Sequence, residues 1–345
     1  MALRLLELTV PGEEAEKILE LLGEATTIQT WTSAADNGER LIRILLDAEH
    51  VEAVSDALLG HFGPREGFRL LELPVEATVP SVEPPPESEA PAQGETKQGK
   101  AEPQRISREE LYEDVAEASR LTPVYMTMVA LSTVVAAVGL IRGDVAIIIG
   151  AMVIAPLLGP NVALSLACTL GDPALARQSL KAIFAGVAIA AALSLLLGAV
   201  LNVNPGVTAI AIRTHANIGD IILALAAGGA ASLAFTGGVP AVVVGVMVAV
   251  ALLPPLVVAG LLAGSGHGLP ALGALTLLLT NVTCINLAAV ATFLLQKVRP
   301  RTWWEADRAG RATRLAVATW ILMLTVLLAL MLLGHIGGGL RPAMG

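Results

Sequence analysis

The chain has 345 residues, 54% of them hydrophobic and 15% charged, with a mean hydropathy of +0.70 and a formal net charge of −8. That composition excludes an ordinary water-soluble globule and implies a membrane protein with many apolar segments. No basic patch interleaved with aromatics is present, so nucleic acid is not an expected partner, and no HExxH, GxSxG, P-loop or intramembrane carboxylate pair points to an enzyme.

The charges are unevenly spread. Residues 1–104 hold 20 acidic and 8 basic side chains, and residues 105–345 hold 10 acidic and 14 basic, so an acidic front joins a mildly basic, apolar body. The opening MALRLLELTVPGEEAEK is too polar for a signal peptide. Cys168 and Cys284 lie in apolar stretches without a CxxC or a His-rich neighbourhood and read as packing residues; no metal and no cofactor are expected.

Residues 1–79 read as a soluble α+β domain in the order β, α, β, β, α, β. The strands are 3–10, 27–34, 39–47 and 68–77, the helices 13–25 and 49–62, and Asp36, Asn37 and Gly38 supply the hairpin turn. This order predicts a ferredoxin-like arrangement, suited to assembly or ligand sensing. Residues 80–104, rich in Pro, Glu and Gly without apolar periodicity, read as a disordered linker. Residues 105–121 form a polar segment that opens at Ser107 with Glu110 three positions on, a capping-box signature for an interfacial helix.

From residue 122 to 345 hydropathy predicts a polytopic α-helical membrane protein of about seven spans: 123–141, 145–170, 182–201, 219–235, 240–262, 271–296 and 314–333. Eleven basic residues near span ends fall on the side of the front domain and three on the other, which places that domain in the cytoplasm. The segments 147–171 and 242–266 align without gaps at an offset of 95, matching Gly150/Gly245, Pro160/Pro255 and Gly171/Gly266 among others. The offset maps the first three spans (123–201) onto the next three (219–296). Three is odd, so the second copy enters from the opposite side: a 3+3 inverted repeat, with the seventh span as an extra.

Both copies carry helix breakers in mid-span, Pro156, Gly159 and Pro160 in one and Pro254 and Pro255 in the other. Backbone groups freed there need partners from neighbouring helices or a wet cavity. Pro160 or Pro255 would open a second half-helix whose N–H groups face a solute. The competing reading is a pair of kinks sealed by neighbouring helices.

Asn161 beside the first break, and Asn281 and Asn286 in span six, are candidate binding groups; interhelical hydrogen bonding is their plainer role. Arg213 and Asp220, seven apart before span four, are a candidate gate or ion pair. With no charged residue deep in a span, a proton-coupled antiporter is disfavoured and a solute held by backbone and amide groups is expected.

Through IIIGAMVIAPLLGP (147–160), IRTHANIGDIILALAAGGA (212–230), VALLPPLVVAG (250–260) and LLLTNVTCINL (277–287), residues 112–299 resemble the prokaryotic membrane proteins known as domain of unknown function 389. The resemblance implies a cytosolic domain ahead of a hydrophobic body in the prokaryotic cytoplasmic (inner) membrane, and no established activity. The expectation is a transporter or channel for a small solute or ion; the alternative is a membrane-anchored sensor or scaffold. A homo-oligomer is expected in either case, since small-residue stripes (Gly228, Gly229, Ala231; Gly186, Ala190) permit close helix approach in the lipid bilayer.

Overall fold

The computed structural model describes residues 3–15, 18, 27–35, 38–63, 65, 68–75, 106–237, 241–299 and 303–339, and divides into two compact units, Met1–Leu111 and Tyr112–Gly345. In the first unit, strands β1 (Leu3–Pro11), β2 (Gln29–Ala34), β3 (Glu39–Asp47) and β4 (Leu70–Val75) form one sheet in the order β2-β3-β1-β4, each neighbouring pair antiparallel. The register Leu6↔Ile44 and Leu8↔Ile42 follows from alternation: a slip of one residue would turn every leucine away from the core. Leu6, Leu8, Val10, Ile42, Ile44 and Leu46 share one face and pack under Val51, Val54, Leu58 and Phe62 of helix α1 (Ala48–Phe62). The predicted helix 13–25 falls mostly outside the described residues, as do the linker 80–104 and the turn residues Asp36 and Asn37.

Helix α2 (Arg108–Ala118) starts as its signature implies, Glu110 N–H donating to Ser107 Oγ over 3.1 Å. Within the first unit Arg4, almost fully buried, reaches both carboxylate oxygens of Glu110, at 2.9 and 3.1 Å. Arg108 bonds Asp56 and Glu109; burial would lower its pKa, but these two carboxylates hold it above the usual value.

The second unit is helical: α3 (Pro123–Arg142), α4 (Val145–Ile154), α5 (Leu158–Leu170), α6 (Pro173–Val200), the short α7 (Thr208–Ala211), α8 (Ile218–Thr236), α9 (Ala241–Gly264), α10 (Gly268–Leu295) and α11 (Trp303–Gly339). Among the described residues five helices are long and apolar enough to cross a membrane, or six if the bent pair α4 and α5 counts as one span. The fifth predicted span corresponds to α9, a continuous helix of 24 residues. The starts are written in the sequence: Thr122, Asp144 and Asp172 each accept a backbone N–H as N-cap, and Pro123 and Pro173 occupy first-turn positions where no N–H is needed. Asn217 and Asp220 form a reciprocal capping box at the start of α8.

Within this unit the rest of α2 is tied to neighbouring helices rather than free. Tyr112 Oη donates to Asp172 at 2.7 Å, and Gln178 Nε2 donates to the Ala116 carbonyl and to Ser119 Oγ at 2.8 and 2.9 Å. Burial and the facing Asp172 push the Tyr112 phenol up to about 12.

Candidate functional site at the junction of the two copies

The offset of 95 recurs in the backbone. It carries α6, Pro173–Val200, onto α10, Gly268–Leu295, residue for residue, and α3 onto α8 to within one residue. The N-caps Thr122 and Asn217 correspond, as do Gly171 and Gly266, both in the left-handed region at φ 68 and 83 where a side chain would be strained. The bond that closes each turn is also repeated, Asp172 N to Ala167 O at 2.9 Å and His267 N to Leu262 O at 2.8 Å.

Contacts spaced along the helices fix their directions. Ile183 and Val187 line one cavity with Leu252 and Leu256, and Ser194 and Gly198 lie against Gly260 and Leu261, so α6 and α9 advance together; Gly273 against Thr214, just before α8, and Gly228 against Ile285 give the same for α10 and α8. The chain reverses at Gly171 between α5 and α6, and at Gly266 between α9 and α10. Helix α5 therefore runs opposite to its counterpart α9.

The candidate breaks behave differently in the two copies. In the first, Ala155 takes an extended conformation (φ −70, ψ 117) ahead of Pro156, as a residue preceding proline prefers, and α4 and α5 meet at a 52° bend. Pro160 is the third residue of α5 rather than its first, and the cap position Leu157 offers no side-chain acceptor. A β-carbon on Gly159 would stand 2.4 Å from the Ala118 carbonyl oxygen, so the start of α5 is closed by the end of α2. In the second copy the expected break is absent: α9 runs as one helix through Pro254 and Pro255, both buried. The physical reason is at hand. Pro255 cannot donate to the carbonyl four residues back, Ala251, and Asn281 Nδ2 from α10 donates to it instead, at 2.8 Å.

Asn281 and Asn286 do not act together. Asn286, fully buried, donates from Nδ2 to Asn161 Oδ1 at 3.3 Å and to Val282 O at 2.8 Å, and its Oδ1 accepts from Ser165 Oγ at 2.9 Å. Asn161 Nδ2 turns back to Leu157 O at 2.8 Å. Two of the separately named candidates, Asn161 and Asn286, thus meet across α5 and α10, with Ser165 as a member the sequence reading missed. Its signal was available: Ser165 stands four residues after Asn161, on the same helix face.

Beside Asn161 lies a partly open cavity of about 30 Å³, room for a water or two. Its lining is paired by the repeat: Leu157 with Leu252, Asn161 with Leu256, Ile183 with Leu278, and Val187 with Val282, with Tyr125 completing it. Tyr125, also missed, donates to Ala182 O at 2.9 Å and abuts Gly186, the counterpart of Asn281.

The gate candidates are not brought into direct contact. Asp220 is taken by the Asn217 N–H, Arg213 Nη1 donates to Ala209 O at 2.5 Å, and no salt bridge joins the two. Burial lowers the Arg213 pKa while the charge of Asp220 partly opposes it. The small-residue stripes are used inside the chain: Gly186 faces Tyr125 and Gly228 faces Ile285, with Ala190 and Ala231 buried.

The model of the domain of unknown function (DUF389) matches residues 152–287, which include both break regions and the candidate residues Asn161, Asn281 and Asn286. An uncharacterized protein of Methanocaldococcus jannaschii is 35% identical over 303 residues, covering 88% of this chain and 91% of its own. The chain belongs to the DUF389 family. No solved structure matches it. The family supplies no activity, so the chemistry of the junction has to be argued from its residues.

Proposed function

We propose that this DUF389 protein is a transporter or channel for a small solute or ion, with two inverted copies of a three-span unit and the solute path at the axis between them. The observation that carries the reading is the central cavity, eight of whose nine lining residues form repeat-related pairs. Inverted repeats place substrate sites at such an interface, and alternating access rocks one copy against the other. The opposed directions of α5 and α9 support the inversion.

The two related interfaces differ in a way that suggests which one moves. Where α6 meets α9 the backbones touch: a β-carbon on Gly198 would stand 2.2 Å from Leu261 O, and one on Gly264 2.1 Å from Leu195 O. The counterpart of Gly198 is Phe293, and α5 meets α10 through Ser165, Asn161 and Asn286, at about 0.6 kcal/mol per interhelical bond. The first contact is a fixed hinge; the second is weak enough to open, and its amides and hydroxyl then face the solute. At about 30 Å³ the cavity holds no more than a water or two, so in this reading a solute passes when α5 moves and widens it. The N-terminal unit takes a ferredoxin-like fold in this reading, which its strand order supports, and lies in the cytoplasm.

Flux from proteoliposomes, measured over a panel of inorganic ions, amides, alcohols and small zwitterions, tests the proposal. One class should permeate faster than through empty liposomes and lose that advantage in Val282→Phe, which fills the cavity; no flux across the panel contradicts it. A second reading, a membrane-anchored sensor, draws on a larger cleft of about 590 Å³ in the first unit, lined by Glu7, Thr9, Arg65 and Arg69. Ligand-dependent protection of that cleft in a chain without flux would favour it.

A further inference from the structure

The sheet of the first unit has one face under α1 and another that, among the described residues, no helix of that unit covers. The register sets a straight row across this second face: Leu71 of β4, Glu7 of β1, Arg43 of β3 and Trp31 of β2. Glu7 and Arg43 are joined at 2.6 Å in its middle. The ends are apolar and open, with Leu71 50% and Trp31 43% exposed; the next row adds Leu73, 43% exposed, beside Leu5, while Leu45 in that row and Leu3 beyond it are buried, so the open part is the Leu71–Trp31 row and the β4 edge. Exposed large apolar side chains around a charge pair mark an interaction surface rather than a solvated sheet.

The geometry points to a second copy of this chain as the occupant, the two sheets packing face to face about a two-fold axis parallel to the strands. The charges select that axis. A two-fold along the strands reverses the row, so Glu7 faces the partner's Arg43, Arg43 faces the partner's Glu7, and Leu71 faces the partner's Trp31. A two-fold along the row would set Glu7 on Glu7 and Arg43 on Arg43. Like charges so placed cost binding, whereas the first arrangement makes a closed ring of four alternating charges.

The size of the face narrows the setting. Four strands about 4.8 Å apart and six residues long at about 3.3 Å each present roughly 400 Å². Stable free dimers bury about 800 Å² per partner. The contact therefore forms where two chains already share a membrane, which raises their effective concentration. Glu7 and Leu71 also line the cleft of the first unit, so the partner narrows its mouth.

The test uses full-length chains in membranes, with Cys168→Ala and Cys284→Ala, in two differently tagged forms carrying Trp31→Cys or Leu71→Cys. Within one chain these positions lie three strand spacings apart, about 14 Å. That exceeds the reach of a short bismaleimide, whereas sheets packed about 10 Å apart bring facing cysteines within it. The cross-linker should give several-fold more dimer in the mixture than in either form alone, and no dimer above background for Ala57→Cys on the exposed side of α1. Equal cross-linking of each form with itself, or none in the mixture, overturns the arrangement. A second measurement guards against misfolding: Glu7→Arg and Arg43→Glu chains should each lose the dimer alone and regain it when co-expressed. Failure of that regain, with both variants folded by circular dichroism, also overturns it. Neither result depends on transport, so it stands or falls apart from the flux experiment.

Discussion

The two copies of the membrane unit share an offset, N-caps and left-handed turns, yet they treat proline in opposite ways. Pro156 stands in the break between two helices that meet at a 52° bend, with Pro160 in the first turn of the second, while Pro254 and Pro255 sit inside an unbroken one. The difference lies outside the proline segments. In the second copy Asn281 fills the place of the missing N–H at Ala251 O; its counterpart in the first is Gly186, which has no side chain to offer and meets Tyr125 instead. Whether a proline breaks a buried helix thus depends on whether a neighbour takes over the freed carbonyl.

The largest expected effect is at the close crossing. Gly198→Val would drive a side chain into Leu261 O, already 2.2 Å from an ideal β-carbon, and should destabilise the membrane unit by about 1–3 kcal/mol or prevent its folding. Thermal denaturation in detergent reads this. The same exchange at Gly150, whose β-carbon meets nothing within 4 Å, should have little effect.

The carbonyl argument predicts a compensation. Asn281→Ala leaves Ala251 O buried without a donor, a loss of about 1–3 kcal/mol. Pro255→Ala restores an N–H for that carbonyl, so the double variant Asn281→Ala with Pro255→Ala should recover most of the loss. A double-mutant cycle in the same detergent checks it, and simple additivity of the two changes would break the explanation.

The smallest effect belongs to the polar junction of α5 and α10. Ser165→Ala removes one hydrogen bond to Asn286 and should cost about 0.6 kcal/mol. It should also speed hydrogen exchange in α5 relative to α6, because that interface is the weaker one in this account. Equal exchange in the two helices would show that the interfaces do not differ as their contacts imply.

Much of this was legible in the residues and some was not. Alternation in LRLLELTV and ERLIRILLD placed the strands, and the Gly and Pro matches revealed the duplication, because turns and caps need particular residue types locally. The fate of each break was not legible. It is decided by Asn281 and Gly186, which stand near the prolines only after three helices have packed. Tyr125 was likewise silent, a first-turn residue whose hydroxyl matters because it ends beside Gly186. The pairing of Arg213 with Asp220 was over-read: a carboxylate in the first turn of a helix answers first to its own capping box.

The central claim is the inversion, and side-specific labelling tests it most directly. Ala174 and Leu269 are exposed, repeat-related residues in the first turns of α6 and α10. Replaced singly by cysteine in a chain free of Cys168 and Cys284, they should react with a membrane-impermeant maleimide from opposite faces of the membrane. Labelling of both from the same face would contradict the account.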